Sequence, residues 1–404
     1  MFHNNLKVHF KLSFLWIVLA LSLSSCKTQN VATSSVKLVK TKMPEFSWDK
    51  MPLYMHVRKA KAFSKKEIKY LAKFPLITLE KTTGSKTFGS TEKGTLAAAK
   101  AIKAINPNAK ILYYKNVVIN WGGYKEDELF LKENPQAFLF NKANKKALMR
   151  NGRTGFFDIS QDYVRNYWLN HVKKIAKNPS IDGLFMDANI KILVPGFFKK
   201  KVGVEKQKEI EEGYLSMMQD LNTQLGNDNL LIANMIRVRP EFEDSGREFL
   251  KYFDGSYLEG FDKGGFGTTY ANYLAKGIEA FQKSAREGKV IAMSLGLGKS
   301  LKSEHVGIDD IRASLEINKN TKKHLDYLLA IFLVCAEKYS YVYPHDGYDS
   351  KNSATWLKTF PQYEKPLGKP LGFAKREGYV YTREFEHVHV WLDIENKTAT
   401  LNYK

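Results

Sequence analysis

The sequence predicts an α/β fold, a (β/α)8 TIM barrel followed by a small C-terminal antiparallel β appendage. Three observations predict it. Short apolar runs of strand length alternate with longer stretches of helical periodicity along most of the chain. The apolar runs end on polar side chains, as expected for parallel strands that helices cover on both faces. Eight such runs with helices between them favour a closed barrel over an open sheet, and no run is followed by the glycine pattern of a dinucleotide-binding fold.

The clearest strand lies in Ile181–Asn189, an apolar run that ends abruptly on Asp187 and Asn189. A strand followed by an Asx turn would give the same pattern. The segment Gly255–Phe261 repeats the pattern two strand–helix units further along a barrel. We predict barrel strands at Leu53–Val57, Leu76–Glu80, Lys110–Tyr114, Gly183–Asp187, Leu230–Met235, Gly255–Glu259, Val290–Leu295 and Ser340–Tyr343.

Helical stretches separate these strands. Ser64 and Glu67 form a capping box at the start of the first helix. The second helix stops at Asn106, because a residue that precedes a proline disfavours the helical conformation. We predict helices at Lys65–Phe74, Thr95–Ile105, Asp162–Lys177, Glu205–Leu225, Tyr270–Glu287 and Lys322–Glu337.

The pattern changes after Pro366, where apolar and polar residues alternate as in antiparallel strands. Asn396 and Lys397 form a turn between the last two strands. The strands are predicted at Gly378–Phe385, Val388–Asp393 and Thr398–Leu401. We therefore assign residues 44–362 to the barrel and residues 363–404 to a C-terminal β subdomain.

The first residues have the features of an export signal. A basic region with Lys7 and Lys11 precedes the apolar segment Leu12–Leu23, and the tetrapeptide that ends in Cys26 resembles the lipobox of bacterial lipoproteins. We predict a lipoprotein signal peptide over 1–26, acylation of Cys26, and a polar tether over 27–43. An ordinary signal peptide with a chance cysteine is the alternative. The expected location is a membrane-anchored exported lipoprotein, facing the periplasm or exposed at the cell surface.

The formal net charge of +21 favours anionic partners. Runs of lysine are also common on solvated faces. Nucleic acid is excluded as a predicted partner, because no zinc-ligand spacing, glycine-rich phosphate loop or aromatic RNA-binding motif accompanies the charge. His387 and His389 lack a third ligand, so we predict no metal site and no cofactor. Cys335 lies in an apolar run and is predicted to be an inert buried thiol.

Polar side chains collect at the predicted carboxyl ends of the strands, which meet at one mouth of a barrel. Any one of them alone fits a satisfied structural group. Their number predicts a carbohydrate site, and basic members of the set suit a sulfated or uronic sugar. The predicted substrate-binding residues are His56, Arg58, Glu80, Lys81, Lys115, Asn189, Asn234, Arg237, Asp262, Lys263, His345 and Asp346.

Two carboxylates at this mouth, Asp187 and Glu259, match the needs of glycosidic bond cleavage. One carboxylate stabilises or captures the oxocarbenium-like centre, and the other transfers a proton to the leaving oxygen. Lys115 is expected to lie near Asp187 and to favour its ionised form. Glu80 is the rival acid, although Lys81 beside it suggests an ion pair. Asp182 and Asp254 precede strands and are predicted to be structural.

The predicted seventh strand offers no carboxylate, and an aspartate on strand four with an acid on strand six resembles the α-galactosidase-like barrels. That resemblance implies Asp187 as nucleophile and Glu259 as acid/base. Four segments are also similar to bacterial proteins of hypothetical glycosyl hydrolase family 15, from about Pro44 to the end of the chain. These are Pro44–Trp48, Phe74–Lys81, Asp182–Asp187 and Tyr379–Phe385.

The family resemblance implies a barrel fold and glycosidase activity, with Asp187 as a catalytic position and Glu259 as its partner. The Asp182–Asp187 strand also resembles the endo-α-1,4-polygalactosaminidase-like barrels. We expect a glycoside hydrolase that cleaves an anionic poly- or oligosaccharide. A non-catalytic surface glycan-binding lipoprotein and a polysaccharide lyase are the alternatives.

Overall fold

The predicted apolar runs pair as one parallel sheet. The computed structural model describes residues 41–150, 152–262, 267–297, 319–353 and 355–404. Within them, eight strands pair in chain order, each parallel to the next. A parallel bridge between Leu53 and Val342 joins the last strand to the first and closes the barrel. The strands are β1 Tyr54–Val57, β2 Leu76–Leu79, β3 Lys110–Asn116, β4 Gly183–Asp187, β5 Leu230–Asn234, β6 Gly255–Leu258, β7 Val290–Gly296 and β8 Ser340–His345.

All eight predicted barrel strands are present, with ends that shift by one or two residues. The largest differences are at β3, which continues to Asn116, and at β8, which continues to His345. Almost every strand residue is buried, because helices cover the outside and side chains fill the inside. The barrel fold predicted from the sequence is therefore confirmed.

Helices follow most strands as predicted. The capping box of Ser64 and Glu67 is present at the start of α1. Short helices on the β2–β3, β3–β4 and β4–β5 connections lie outside the prediction. The described helices are α1 Lys65–Leu71, α2 Ser85–Phe88, α3 Thr91–Lys103, α4 Lys125–Glu133, α5 Asp162–Ala176, α6 Asn189–Leu193, α7 Gly196–Val202, α8 Val204–Leu225, α9 Tyr270–Arg286 and α10 Lys319–Cys335.

Shorter elements complete these connections. A two-residue antiparallel ladder joins Met149–Arg150 to Thr154–Gly155. Turns of 3-10 helix occur at Pro135–Ala137, Arg247–Tyr252 and Pro361–Glu364.

The C-terminal residues form a four-stranded antiparallel sheet, as predicted apart from its short first strand. Its strands are β9 Lys375–Glu377, β10 Val380–Glu384, β11 Val388–Asp393 and β12 Thr398–Tyr403. The buried guanidinium of Arg383 ties the sheet to the end of α10, donating to the carbonyl of Leu333 at 2.9 Å and to Glu337 at 2.9 Å. Cys335 lies in the same place as a buried thiol, which matches its prediction.

Several predictions lie outside the described residues: the signal peptide over 1–26, acylation of Cys26, most of the tether over 27–43, and Lys263. The end of the tether is described. There the Lys42 ammonium bonds the Asp254 carboxylate at 2.6 Å, so this part of the segment is fixed to the barrel. Among the described helices, none is long and apolar enough to cross a membrane.

Candidate active site

The two predicted catalytic carboxylates meet at the amide of Asn234. Asp187 ends β4, Asn234 ends β5 and Glu259 follows β6, so three neighbouring strands bring them to the same mouth. The amide nitrogen of Asn234 lies 3.3 Å from Asp187 Oδ1 and 3.3 Å from Glu259 Oε2. These two oxygens are therefore at most twice 3.3 Å, or 6.6 Å, apart.

Three donors fix the Asp187 carboxylate. The Tyr114 hydroxyl donates to Oδ2 at 2.6 Å, and the backbone amide of Ala188 donates to Oδ1 at 2.7 Å, beside the Asn234 contact. Ala188 has a left-handed backbone with φ of 71°, so the chain turns sharply straight after Asp187. Burial, followed by the charges of Asp187 and Glu80, raises the pKa of Tyr114 well above its usual value. Its hydroxyl therefore stays protonated and keeps donating.

The Glu259 side chain is 44% exposed, and the Arg237 guanidinium lies 3.7 Å from its carboxylate. The two carboxylates line an open cavity of about 340 Å³. Its lining includes Asp187, Lys191, Phe197, Asn234, Arg237 and Glu259.

A larger cavity of about 1110 Å³ lies at the opposite end of the barrel. It is lined by residues that precede strands, such as Leu53 before β1 and Pro75 before β2. The larger volume alone does not make this cavity the candidate active site. The smaller cavity holds the facing carboxylates at the carboxyl ends of the strands, where barrels of this kind carry their chemistry.

A second group of predicted residues surrounds Glu80. Its carboxylate forms an ion pair with Lys81 and lies 3.7 Å from His56 Nε2 and 3.9 Å from Arg58. Burial raises the pKa of Glu80, but the Lys81 ammonium and the His56 imidazole outweigh it and lower the pKa to about 2. Glu80 is therefore ionised at neutral pH and carries no proton to donate, which disfavours it as the rival acid. The Lys81 ammonium also lies 4.7 Å above the Tyr114 ring, so this group adjoins Asp187.

The remaining predicted residues of the mouth lie after β6 and β8. The His345 ring stacks on Tyr348 at 4.3 Å between centroids, and the Tyr348 hydroxyl lies 2.5 Å from that of Tyr257. Asp346 accepts hydrogen bonds from Ser353 at 2.5 Å and Thr355 at 2.7 Å, which holds the loop after β8. Asp262 accepts from the backbone amide of Gly296 at 3.4 Å.

Two predicted contacts are corrected by the structure. Lys115 points out of the barrel, where its buried ammonium lies 2.6 Å from the Asp127 carboxylate, so it contacts Asp127 and not Asp187. The side chain of Asn189 is fully buried under α8 and does not line the cavity. It accepts from the Tyr214 hydroxyl at 2.8 Å and donates to the Met186 carbonyl at 3.0 Å.

Tyr114 and Lys191 are missing from the predicted site, although both surround Asp187. Strand alternation could have identified Tyr114. Tyr114 and Asn116 lie on the inner face of β3, so Lys115 between them faces outward. Lys191 belongs to the short helix α6, which no periodic pattern marks.

Three residues with metal-ligating side chains, Glu92, Glu126 and His171, approach one another within 4.8 Å on the outside of the barrel. Each already has protein partners. The Glu92 carboxylate accepts the amides of Lys125 and Glu126 at the start of α4, and His171 lies 3.3 Å from Glu126. These contacts explain the group as a helix cap and an ion pair.

The family model for hypothetical glycosyl hydrolase family 15 matches residues 103–389, more than half of the 404-residue chain. No curated protein matches the chain.

Several solved structures align with the chain at low sequence identity. The maltogenic α-amylase AmyB from Thermotoga neapolitana is 11% identical, with 85% of this chain and 86% of that chain covered and a TM-score of 0.47. An α-amylase from Anoxybacillus is 13% identical, with coverages of 86% and 87% and a TM-score of 0.45. The α-galactosidase AgaB from Geobacillus stearothermophilus is 10% identical, with coverages of 76% and 41% and a TM-score of 0.44. This chain thus spans less than half of that α-galactosidase.

Proposed function

The chain belongs to hypothetical glycosyl hydrolase family 15, and from this premise we propose that Asp187 and Glu259 hydrolyse a glycosidic bond of a poly- or oligosaccharide. The observation that carries the proposal is the contact of both carboxylates with one amide nitrogen, that of Asn234. Two carboxylates that flank one bond are what glycoside hydrolysis requires. Asp187 Oδ1 and Glu259 Oε2 are at most 6.6 Å apart, which is compatible with the separation of about 5 to 5.5 Å in retaining enzymes and reaches only the lower edge of the range of about 6.5 to 9.5 Å in inverting enzymes.

In the proposed reaction Asp187 is the nucleophile. Its oxygen attacks the anomeric carbon while Glu259 gives its proton to the leaving oxygen, so a glycosyl ester forms and the first product departs as an alcohol. Glu259 then takes a proton from water, the resulting hydroxide attacks the anomeric carbon, and the Asp187 carboxylate leaves. Asp187 suits the first role because three donors hold it beside the cavity. Glu259 suits the second because its exposed side chain reaches solvent and leaving group.

The test compares Asp187→Asn and Glu259→Gln with the wild-type chain in release of reducing sugar from a responsive glycan. We expect each variant to lose activity by roughly a thousandfold or more. A substrate with an activated leaving group, such as a nitrophenyl glycoside, needs no proton donor. It should therefore restore the bond-breaking step in Glu259→Gln but not in Asp187→Asn.

Asp220→Asn is the matched control, since Asp220 is exposed on α8 and does not line the cavity. Wild-type rates in both active-site variants would overturn the assignment. Tight glycan binding by the wild-type chain without any product would instead favour the non-catalytic glycan-binding function, and products that absorb in the ultraviolet would favour a lyase.

We propose also that the substrate is anionic and that the protein is an exported lipoprotein. The net charge of +21 and the lipobox-like segment before Cys26 support these two statements. Metabolic labelling with a radioactive fatty acid tests the second. Label should enter the wild-type chain and the Cys335→Ala variant, and it should be lost from Cys26→Ala. Equal labelling of Cys26→Ala would contradict acylation at Cys26.

A further inference from the structure

We propose that Lys191 and Phe197 form a subsite for a sugar unit that carries a carboxylate or sulfate, directly beside Asp187. Both residues line the cavity that holds the two carboxylates. The proposal rests on the proposed function for its position next to the scissile bond. It adds the side chains that select the charge of the substrate.

Lys191 is half-buried on α6, one helical turn after Asp187. Its ammonium lies 4.1 Å above the Phe197 ring, and among the described residues no carboxylate forms an ion pair with it. Burial, followed by the charge of Arg150, lowers the pKa of Lys191. The Asp187 charge opposes this shift but forms no ion pair with Lys191. A partly desolvated ammonium outside any ion pair gains from an anionic ligand, because charge-assisted hydrogen bonds replace lost hydration.

Three other cations of the mouth already have acidic neighbours. Lys81 pairs with Glu80, the Arg58 guanidinium lies 3.1 Å from the Asp349 carboxylate, and Arg237 lies 3.7 Å from Glu259. All three are among the cations that the sequence suggested for an anionic substrate. Since their charges are largely balanced within the protein, Lys191 is the better placed group to receive an external anion.

Two neighbours complete the subsite. Phe197 is partly exposed, and its ring offers an apolar surface of the kind that sugar rings stack on. Arg150 adds a second positive charge near Lys191 and is held by Trp121, whose ring centroid lies 4.0 Å from the guanidinium carbon. Within the described residues Arg150 has no ion-pair partner either. A partly exposed aromatic ring beside the Lys191 ammonium, with the positive charge of Arg150 nearby, is suited to a sugar with a negative substituent.

The test measures binding of four oligosaccharide probes by calorimetry. The probes are an oligogalacturonate, its carboxyl-reduced form, a sulfated galactan oligosaccharide and its desulfated form. The full chain is compared with Lys191→Gln and with the matched control Lys200→Gln, an exposed lysine on α7 outside the cavity. Arg150→Gln serves as a second variant if Lys191→Gln fails to fold.

We expect the wild-type chain to prefer a charged probe over its neutral form, and the charged probe that binds identifies the anion. Lys191→Gln should weaken binding of the charged probe by roughly ten- to a hundredfold and leave the neutral probe unchanged. Lys191→Arg should restore most of the affinity, and Lys200→Gln should behave as wild type.

Three results would overturn the subsite: equal affinity of the wild-type chain for charged and neutral probes, no binding of any probe, or unchanged charged-probe binding in Lys191→Gln. Failure of the proposed hydrolysis is a separate result. It would appear as undiminished product release by Asp187→Asn and Glu259→Gln, and it leaves the binding comparison intact.

Discussion

Strands β4 and β6 have a carboxylate at each end, and the carboxylates at the two ends differ in what they contact. At the amino ends, Asp182 accepts the backbone amide of Ile111 at 2.9 Å and Asp254 accepts that of Leu231 at 2.8 Å. Each also pairs with a lysine, Lys103 at 2.7 Å and Lys42 at 2.6 Å. At the carboxyl ends, Asp187 and Glu259 line a cavity and meet at Asn234.

The difference follows from strand polarity. The amino ends of parallel strands present backbone amides that need acceptors, and a carboxylate there is fully used by its neighbours. The carboxyl ends open into loops, which leave room for a ligand. The same residue type therefore serves structure at one end and is available for chemistry at the other.

Two single variants, Asp182→Asn and Asp187→Asn at the two ends of β4, should differ most in their effect on stability. Asp182→Asn leaves the Lys103 ammonium, 12% exposed, without its charge partner, which is itself 2% exposed. We expect the free energy of unfolding to fall by about 3 to 5 kcal/mol, as for other broken buried ion pairs. Asp187→Asn should lower it by only about 1 to 2 kcal/mol, because the remaining amide oxygen still accepts from Ala188 and water reaches the open cavity.

Denaturant titration of the two purified variants measures this contrast. A loss of stability in Asp187→Asn equal to that in Asp182→Asn would remove the distinction between the two ends. A stable Asp182→Asn would show that the Lys103 pair contributes little.

Glu80 is an exception at the carboxyl ends, since it is buried among Lys81, His56 and Arg58. Its pKa is lowered from 4.5 to about 2, because Lys81 and His56 outweigh the effect of burial. A carboxyl group with a depressed folded-state pKa stabilises the fold above its unfolded value, and that contribution is lost as the pH falls from about 4.5 to 2. The expected loss is about 3 kcal/mol.

The measurement is the difference in the free energy of unfolding between wild type and Glu80→Gln across this pH range. The difference should shrink steadily with acidification, because the variant has no charge to lose. A difference that stays constant with pH would mean that Glu80 is not held ionised by its neighbours, and Glu80 would again rival Glu259 as the acid.

Tyr114 allows a test at the carboxyl end of β4, beside Asp187. Tyr114→Phe removes the hydroxyl that donates to Asp187 at 2.6 Å. A hydrogen bond to a charged group contributes enough that we expect kcat to fall by roughly ten- to a hundredfold with little change in KM. Tyr113→Phe is the matched control, because the neighbouring Tyr113 points outward to His171. Equal activity in both variants would exclude Tyr114 as a positioning residue.

The strands were predictable because each is a short apolar run with abrupt polar ends, and burial on both faces requires that pattern. The direction of the side chains at the strand ends was harder to predict. The predicted third strand stops at Tyr114, which makes Lys115 a loop residue free to reach Asp187. The observed strand continues to Asn116, and strand alternation then turns Lys115 outward to Asp127.

The prediction that Asn189 binds substrate was wrong for another physical reason. An extended chain would place it on the same side as Asp187, but the left-handed backbone of Ala188 starts a helix and buries the amide. No sequence pattern marks that turn, since glycine is the usual residue there. Ion pairing between distant residues, such as Arg58 with Asp349, is equally hidden in the sequence. The sequence predicted that Asp187 and Glu259 lie at the same mouth, and the structure places them there. Which cations lack an ion-pair partner could not be predicted.

The variant with the smallest expected effect tests whether the two carboxylates at the amino ends, Asp182 and Asp254, stabilise the fold equally. Asp254 repeats the contacts of Asp182 at the next strand but one, yet its side chain is 25% exposed and that of Lys42 is 23% exposed. Because water screens an ion pair of that exposure, Asp254→Asn should lower the free energy of unfolding by only about 1 kcal/mol. Raising the salt concentration should shrink this difference but leave that of Asp182→Asn nearly unchanged. Denaturant titrations at low and high salt would check it, and an equal, salt-insensitive loss in both variants would mean that strand position, not burial, sets the strength of these contacts.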